Sequence, residues 1–246
     1  VASASIRRWA LEDMTYLYLF WIHLRLGVLN ELQYRTNLGV QVLQSFFGLA
    51  TSSIYSRDNV YWIHRVAGKR MTVASVAGAT KAGGFLAQAD EDWQDGFALK
   101  FYSTVRMCRL FWPMLKSSKG VVVNIIGGAA RTPDPEFLVG GSVNAAFANF
   151  TKGLSGLGKR DGVNVNAILP GLTDTERVQK LFEQRAAATG ITPEEARRNQ
   201  ITKEGLSRLG TPDDVAALAL FLASDKARHI QGTSIAVDGG ATAGVY

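Results

Sequence analysis

From Val73 onward the apolar positions switch between two periods, and the switches mark the elements. Val73–Ala77 is a short, β-branched run ending at Ala-Gly, and Val121–Ile126 is a continuous apolar run that suits a central parallel strand. Asn164–Leu169, closed by Pro-Gly, predicts another buried strand, and Ser234–Val237 a final one. Between these runs the spacing is helical. Asp90–Lys116 carries Phe97, Phe101, Val105, Leu110 and Met114 near that period and stops at Ser-Ser-Lys-Gly. Ser142–Leu157 reads as a helix of small residues. Asp213–Leu222 reads as a helix with Thr211 as N-cap and Pro212 at its first position. Strands alternating with helices of this length predict an α/β fold: a Rossmann-type, doubly wound parallel sheet with helices on both faces.

The first third does not follow this pattern. Residues 1–72 are expected to be an atypical segment, irregular or helical, ahead of an α/β domain over residues 73–246. A dinucleotide-binding domain opens with a strand and a glycine-rich turn, because the diphosphate needs close backbone approach and a helix N-terminus. Residues 1–72 hold only Gly27, Gly39, Gly48 and Gly68, and no two are close enough to form that turn.

Composition narrows the function classes. The chain has 246 residues with 47% hydrophobic and 20% charged, which allows one sizeable core. The single cysteine, Cys108, excludes an intrachain disulfide, and its apolar helical setting reads as a small buried hydrophobe. His23, His64 and His229 are far apart without partners at ligand spacing, so no metal site is expected. The formal charge of +6 is concentrated in residues 1–72, without a dense cluster or interleaved aromatics, so no nucleic-acid partner is expected. No cleavable signal pattern follows the apolar stretch from Met14, and the expected location is cytoplasmic.

Four segments in succession, TVASVAGA (Thr72–Ala79), WPMLKSSKGVVVNI (Trp112–Ile125), VNVNAILPGLTDT (Val163–Thr175) and LGTPDDVAALALFLASDKARHIQGTSIAVDGG (Leu209–Gly240), resemble the short-chain dehydrogenase/reductase family over about residues 73–240. The resemblance implies an oxidoreductase that uses NAD or NADP on an alcohol/carbonyl pair of a small-molecule substrate. It implies a homodimer or homotetramer built on the long helices Trp93–Lys116 and Val143–Leu157, whose aromatic residues include Phe101, Phe111, Trp112, Phe147 and Phe150. It also implies that Pro170, Gly171, Leu172 and Thr175 hold the nicotinamide carboxamide, that Ala77 and Gly78 line the adenosine side, and that Glu176–Lys203 covers the substrate.

The family's catalytic residues are missing from their places. The serine position falls on Gly127, the tyrosine on Gly140, the lysine on Asn144 and the helical asparagine on Lys100. Three readings stay open. In a divergent enzyme Lys100 supplies the cation, with Ser142 or Tyr102 handling the proton and Asn144 beside them. Otherwise the chain is a catalytically inactive member that binds a nucleotide or a protein, or it is a structural relic. If only side chains have been lost, the triple change Gly127→Ser, Gly140→Tyr, Asn144→Lys is expected to restore carbonyl reduction.

About the first 52 residues, MTYLYLFWIHLRLGVL (Met14–Leu29) and the stretch that follows, resemble the opening of an ABC-2 type transporter permease. The uncharged run Thr36–Ser56 is long enough to span a bilayer, but Asn37, Gln41, Gln44 and Ser45 dilute it. Membrane association of residues 1–56, amphipathic helices lying on the sheet, and a chimeric product are the alternatives for this region.

Overall fold

The structure is a computed structural model that describes residues 51–56, 59–64, 70–77 and 80–243. The permease-like stretch up to residue 50 lies outside the described residues. Residues 50–246 form one compact unit around a six-stranded sheet in the order β1-β2-β3-β4-β5-β6.

The last four strands are the expected parallel set: β3 (Thr72–Ala77), β4 (Val121–Ile125), β5 (Asn164–Pro170) and β6 (Ser234–Val237). The first two are a correction. Thr51–Ser56 (β1) and Asn59–His64 (β2) pair antiparallel, with Ser56 opposite Asn59, and β2 pairs antiparallel with β3. Residues 51–64 are therefore a hairpin on the edge of the sheet, and not an irregular or helical segment; Thr51–Ser56 is strand, not the end of a membrane span. The composition of Asn-Val-Tyr-Trp-Ile-His favours a pleated strand. Only Arg57 and Asp58 separate the two runs, without the glycine that usually announces such a connection.

The long helical pattern resolves into three pieces: α1 (Asp90–Gly96), a π-helical turn (Phe97–Tyr102) and α2 (Ser103–Ser118). The Ser103 N–H reaches back five residues to the Ala98 carbonyl, which defines the wider turn. Helix α3 (Leu138–Asp161) begins earlier than the small-residue pattern suggests, because Gly140 and Gly141 hide its first turn. Two polar helices follow β5, α4 (Glu176–Thr189) and α5 (Pro193–Lys203), and then α6 (Pro212–Ala223).

Strand alternation divides the core between the two faces. Val73, Val122 and Val165 face Met107, Cys108, Phe111 and Leu115 of α2, while Ala167, Leu169 and Ile126 pack with Phe147 of α3. On the other face Val121, Val123, Ile125 and Ile168 meet Val215, Leu218 and Leu222 of α6. The strands step in one direction from β3 to β6, yet α6 lies opposite α2 and α3. The β5-to-β6 connection thus has the opposite hand to the two before it, against the usual preference. Among the described residues no helix is long and apolar enough to cross a membrane.

The start of α6 follows the sequence closely. The Thr211 hydroxyl accepts the Asp214 N–H at 3.3 Å, and the Asp214 carboxylate accepts the Thr211 N–H at 2.7 Å and Arg208 at 2.7 and 2.9 Å. The Arg208 guanidinium, together with the Thr211 bonds, holds the Asp214 carboxyl well below the usual carboxylate range. Thr211→Ala is expected to cost about 1 kcal/mol in thermal melting. An unchanged melt would mean that Arg208 alone anchors this helix start.

Candidate active site

Parallel strands bring their carboxyl ends to one edge, where open α/β sheets bind ligands. Here β3, β4 and β5 deliver Thr80, Ile125 to Gly127, and Pro170, Gly171 and Thr173 to a cavity of about 300 Å³. Lys100 enters from the π-helical turn, Phe137 and Asn144 from the start of α3, and Arg177 from the first turn of α4. Among the described residues no carboxylate, histidine, cysteine, tyrosine or serine lines this cavity. A second hollow, of about 360 Å³ between Arg131 and β6, has Asp238 as its one carboxylate among the described residues. That carboxylate is taken up by the Gly240 and Thr242 N–H groups, each at 3.0 Å. It offers no reacting group.

Lys100 is the chemically distinctive residue. Its side chain is buried, 8% exposed, and Nζ donates to the Ile126 carbonyl at the end of β4. Burial, with a further push from Arg177, lowers its pKa from 10.5 to about 8. Its backbone is pinned through the Lys100 carbonyl, which accepts the Thr104 hydroxyl at 3.0 Å, while Thr104 meets Ser75 of β3 at 2.8 Å. Asn144, 5% exposed, lines the same cavity, and its Oδ1 has no hydrogen-bond partner among the described residues.

The positions where the resemblance expects serine and tyrosine, Gly127 and Gly140, are shaped for glycine. Gly127 has φ 130° and ψ 145°, a backbone that a serine adopts only under strain, and a Cβ there would meet Asn144 Nδ2 at 3.2 Å. A Cβ at Gly140 would fall inside the Phe137 ring. The triple change expected to restore activity therefore meets a backbone and an aromatic ring already shaped for glycine.

Of the other residues singled out from the sequence, Pro170 and Gly171 line the cavity with Lys100 and Asn144. Leu172 packs instead against Phe182, Ala186, Ala196 and Leu209 beneath α4 and α5, and the Thr175 hydroxyl caps α4 by accepting the Val178 N–H. Ala77 ends β3, and Gly78 lies outside the described residues. Ser142 does not join them: it is exposed, two residues from Asn144, and so about 200° around the helix from the cavity side. Tyr102 is also outside, 49% exposed and edge-on to Phe101. Sequence reading missed Thr80, Phe137, Thr173 and Arg177. The last two sit beside the Pro-Gly turn and at a helix start, which was a usable signal; Phe137 carried none.

The nicotinamide end of a dinucleotide fits these residues. The Leu172 and Thr173 N–H groups, at the carboxyl end of β5, make no hydrogen bond among the described residues, and the Thr175 hydroxyl keeps its proton to donate. The diphosphate end does not fit what is described. The neighbour of β3 is the antiparallel β2, so no parallel strand, turn and helix stand beside it to cradle a diphosphate. No cluster of metal-ligating side chains occurs among the described residues.

Comparison with known proteins bears on the same region. The family model described as enoyl-(acyl carrier protein) reductase matches residues 63–242. An uncharacterised oxidoreductase of Bacillus subtilis, YvrD, is 34% identical over 157 residues, 61% of this chain and 59% of that protein. The D-beta-hydroxybutyrate dehydrogenase of Cupriavidus necator is 32% identical over 152 residues, with the same coverage of 61% and 59%. A solved NADPH-bound short-chain oxidoreductase of Pseudomonas aeruginosa, described as having an atypical catalytic center, is 30% identical at a TM-score of 0.62, covering 71% of this chain and 66% of that one. The chain thus spans about three fifths of the length of the curated relatives it matches. Matched from the end of β2 through the last strand, the chain belongs to the short-chain dehydrogenase/reductase family.

Proposed function

We propose that this chain is a nicotinamide-dependent oxidoreductase acting on an alcohol/carbonyl pair, with Lys100 handling the proton in place of the family's tyrosine. The observation that carries this reading is a buried ammonium at the carboxyl ends of three parallel strands, in a cavity lined by no carboxylate, histidine, cysteine, tyrosine or serine among the described residues. The cofactor, NAD or NADP, supplies or accepts the hydride when bound. The Leu172 and Thr173 N–H groups and the Thr175 hydroxyl would hold its carboxamide. Lys100 donates a hydrogen bond to the carbonyl oxygen and passes its proton across as that oxygen becomes an alcohol. The neutral amine then recovers a proton from solvent at the cavity mouth. Phe137 shields the site from water, and the bare Gly127 leaves room for the substrate. The Bacillus, Cupriavidus and Pseudomonas relatives support oxidoreductase chemistry, and the last of them supports a catalytic centre off the usual pattern.

The pH profile tests this assignment. Reduction needs the charged lysine, so its rate should hold below about pH 8 and fall roughly tenfold per pH unit above it; oxidation should rise over the same range. A profile flat from pH 6 to about 9.5 would remove Lys100 from the proton-transfer role.

A binding module without catalysis is the second reading, favoured by the antiparallel β2 where a diphosphate cradle would stand. Titration with NADH and NADPH, read by nicotinamide fluorescence alongside turnover, separates the two. Binding with turnover supports the enzyme, binding alone supports the module, and neither sinks both.

The reading includes a cytoplasmic homodimer or homotetramer formed through the helical run Trp93–Lys116, from α1 through the π-helical turn into α2, and through Val143–Leu157 of α3. Phe111 and Phe147 are spent in the subunit core, so the surface is narrower than the sequence suggests. The edge-to-face rings of Phe97, Phe101, Tyr102 and Phe150 remain partly exposed as its apolar centre. Light scattering that gives a monomer at micromolar concentration would rule the assembly out.

A further inference from the structure

The cavity carries two positive charges, Lys100 and Arg177, and among the described residues no carboxylate lines it. Neither residue forms an ion pair among the described residues. Elsewhere on the same edge cations are matched: Arg197 of α5 meets Asp174 at 3.2 Å, and Arg208 meets Asp214 at 2.7 Å. Asp174, three residues before Arg177, is thereby committed to Arg197. A buried ammonium without a counter-charge is costly, and a second cation facing the same space raises that cost. An anion entering the cavity relieves both.

Resting on the oxidoreductase reading, we infer that the substrate is a short oxo or hydroxy acid, its carboxylate taken by Arg177 and its reacting oxygen by Lys100. Arg177 is then a specificity-determining residue. It is exposed on the first turn of α4, where a ligand can reach its guanidinium and where the helix N-terminus also favours negative charge. Guanidinium and carboxylate pair through two parallel N–H donors, which fixes the orientation of the acid as well as attracting it. Asn144, buried beside them with an unpartnered Oδ1, supplies the acceptor that two cations cannot, for the hydroxyl of the alcohol form.

Calorimetry on the full chain without nicotinamide tests this directly. The probes are pyruvate, acetoacetate and levulinate, which place the carboxylate progressively farther from the carbonyl, each against its methyl ester, with inorganic pyrophosphate as a further probe. At least one acid should bind about tenfold or more tightly than its ester, as a charge-assisted pair requires. That preference should vanish in Arg177→Leu and survive in part in Arg177→Lys, with neither variant melting below the parent because the side chain is exposed. Equal binding of acids and esters overturns the inference, as does a preference that persists in Arg177→Leu. Pyrophosphate binding that exceeds every acid and is lost in Arg177→Leu also overturns it, and would assign the cations to a dinucleotide's diphosphate. Acid binding that depends on Arg177, without turnover when NADH or NADPH is added, would leave the anion site standing and sink the oxidoreductase reading instead.

Discussion

Lys100→Met should abolish carbonyl reduction and yet make the protein more stable at pH 7. Burial lowers the lysine from 10.5 to about 8, and each tenfold loss of proton affinity corresponds to about 1.4 kcal/mol. Keeping the ammonium charged at pH 7 therefore costs the fold about 3 kcal/mol. Methionine removes that cost and gives up the bond to the Ile126 carbonyl, worth about 1 kcal/mol, for a net gain of about 2 kcal/mol. The sign follows from linkage. Between pH 8 and 10.5 the unfolded chain holds a proton that the folded chain has lost, so wild-type stability rises with pH across this window. Its full contribution is present above 10.5 and is lost as pH falls through 8. The gap between the two proteins should accordingly be widest below pH 8, narrow as pH rises and reverse by 10.5, where only the lost hydrogen bond counts. Loss of general acid assistance should lower the rate about a hundred- to ten-thousand-fold. A variant that is less stable at pH 7 and turns over normally would make Lys100 a structural residue.

The triple change Gly127→Ser, Gly140→Tyr, Asn144→Lys is expected to destabilise the protein by several kcal/mol and to restore nothing. Serine at φ 130° costs about 1–3 kcal/mol. A side chain at position 140 must displace the Phe137 ring, and overpacking of that kind costs typically about 1–3 kcal/mol. A lysine at position 144 adds a further buried cation to a cavity that already holds Lys100 and Arg177. Against a total stability of about 5–15 kcal/mol this sum is severe. Gly140→Ala alone should lower the melting temperature by several degrees, since 1 kcal/mol shifts a chain of this size by about 2–4 °C. Phe137→Ala should relieve most of that loss. A triple variant that melts like the parent and reduces carbonyls would show that the Phe137 ring swings aside freely and that only side chains had been lost.

Much of the scaffold was legible from residue pattern. The β3 to β6 strands, α6 with its Thr211 cap and the Pro170-Gly171 turn lie where periodicity and capping put them, because each depends on residues near in sequence. The hairpin of β1 and β2 was not legible. A strand is held by its neighbour, and Thr51–Ser56 has no alternation strong enough to announce itself without β2 beside it. The π-helical turn at Phe97–Tyr102 was hidden for a related reason, since its apolar spacing differs from that of an α-helix by less than one residue.

At the site, the sequence reading placed glycine, glycine and asparagine where the family resemblance expects Ser, Tyr and Lys, and it singled out Lys100 and Asn144. The surroundings of those positions were decided by tertiary structure. Whether Lys100 lies in solvent or under the sheet edge depends on how the π-helical turn meets the end of β4, and the fold buries it against Ile126. Whether Gly140 is an erased tyrosine or a filled position depends on Phe137, three residues away in sequence but brought over it by the first turn of α3. Whether Ser142 or Arg177 lines the cavity depends on helix phase and on the packing of α4: Ser142 is exposed, and Arg177, which the sequence reading did not single out, lines it. Local patterns encode which residues are present and which elements they form. The charge environment of a cavity arises from elements distant in sequence, so only their packing could set it.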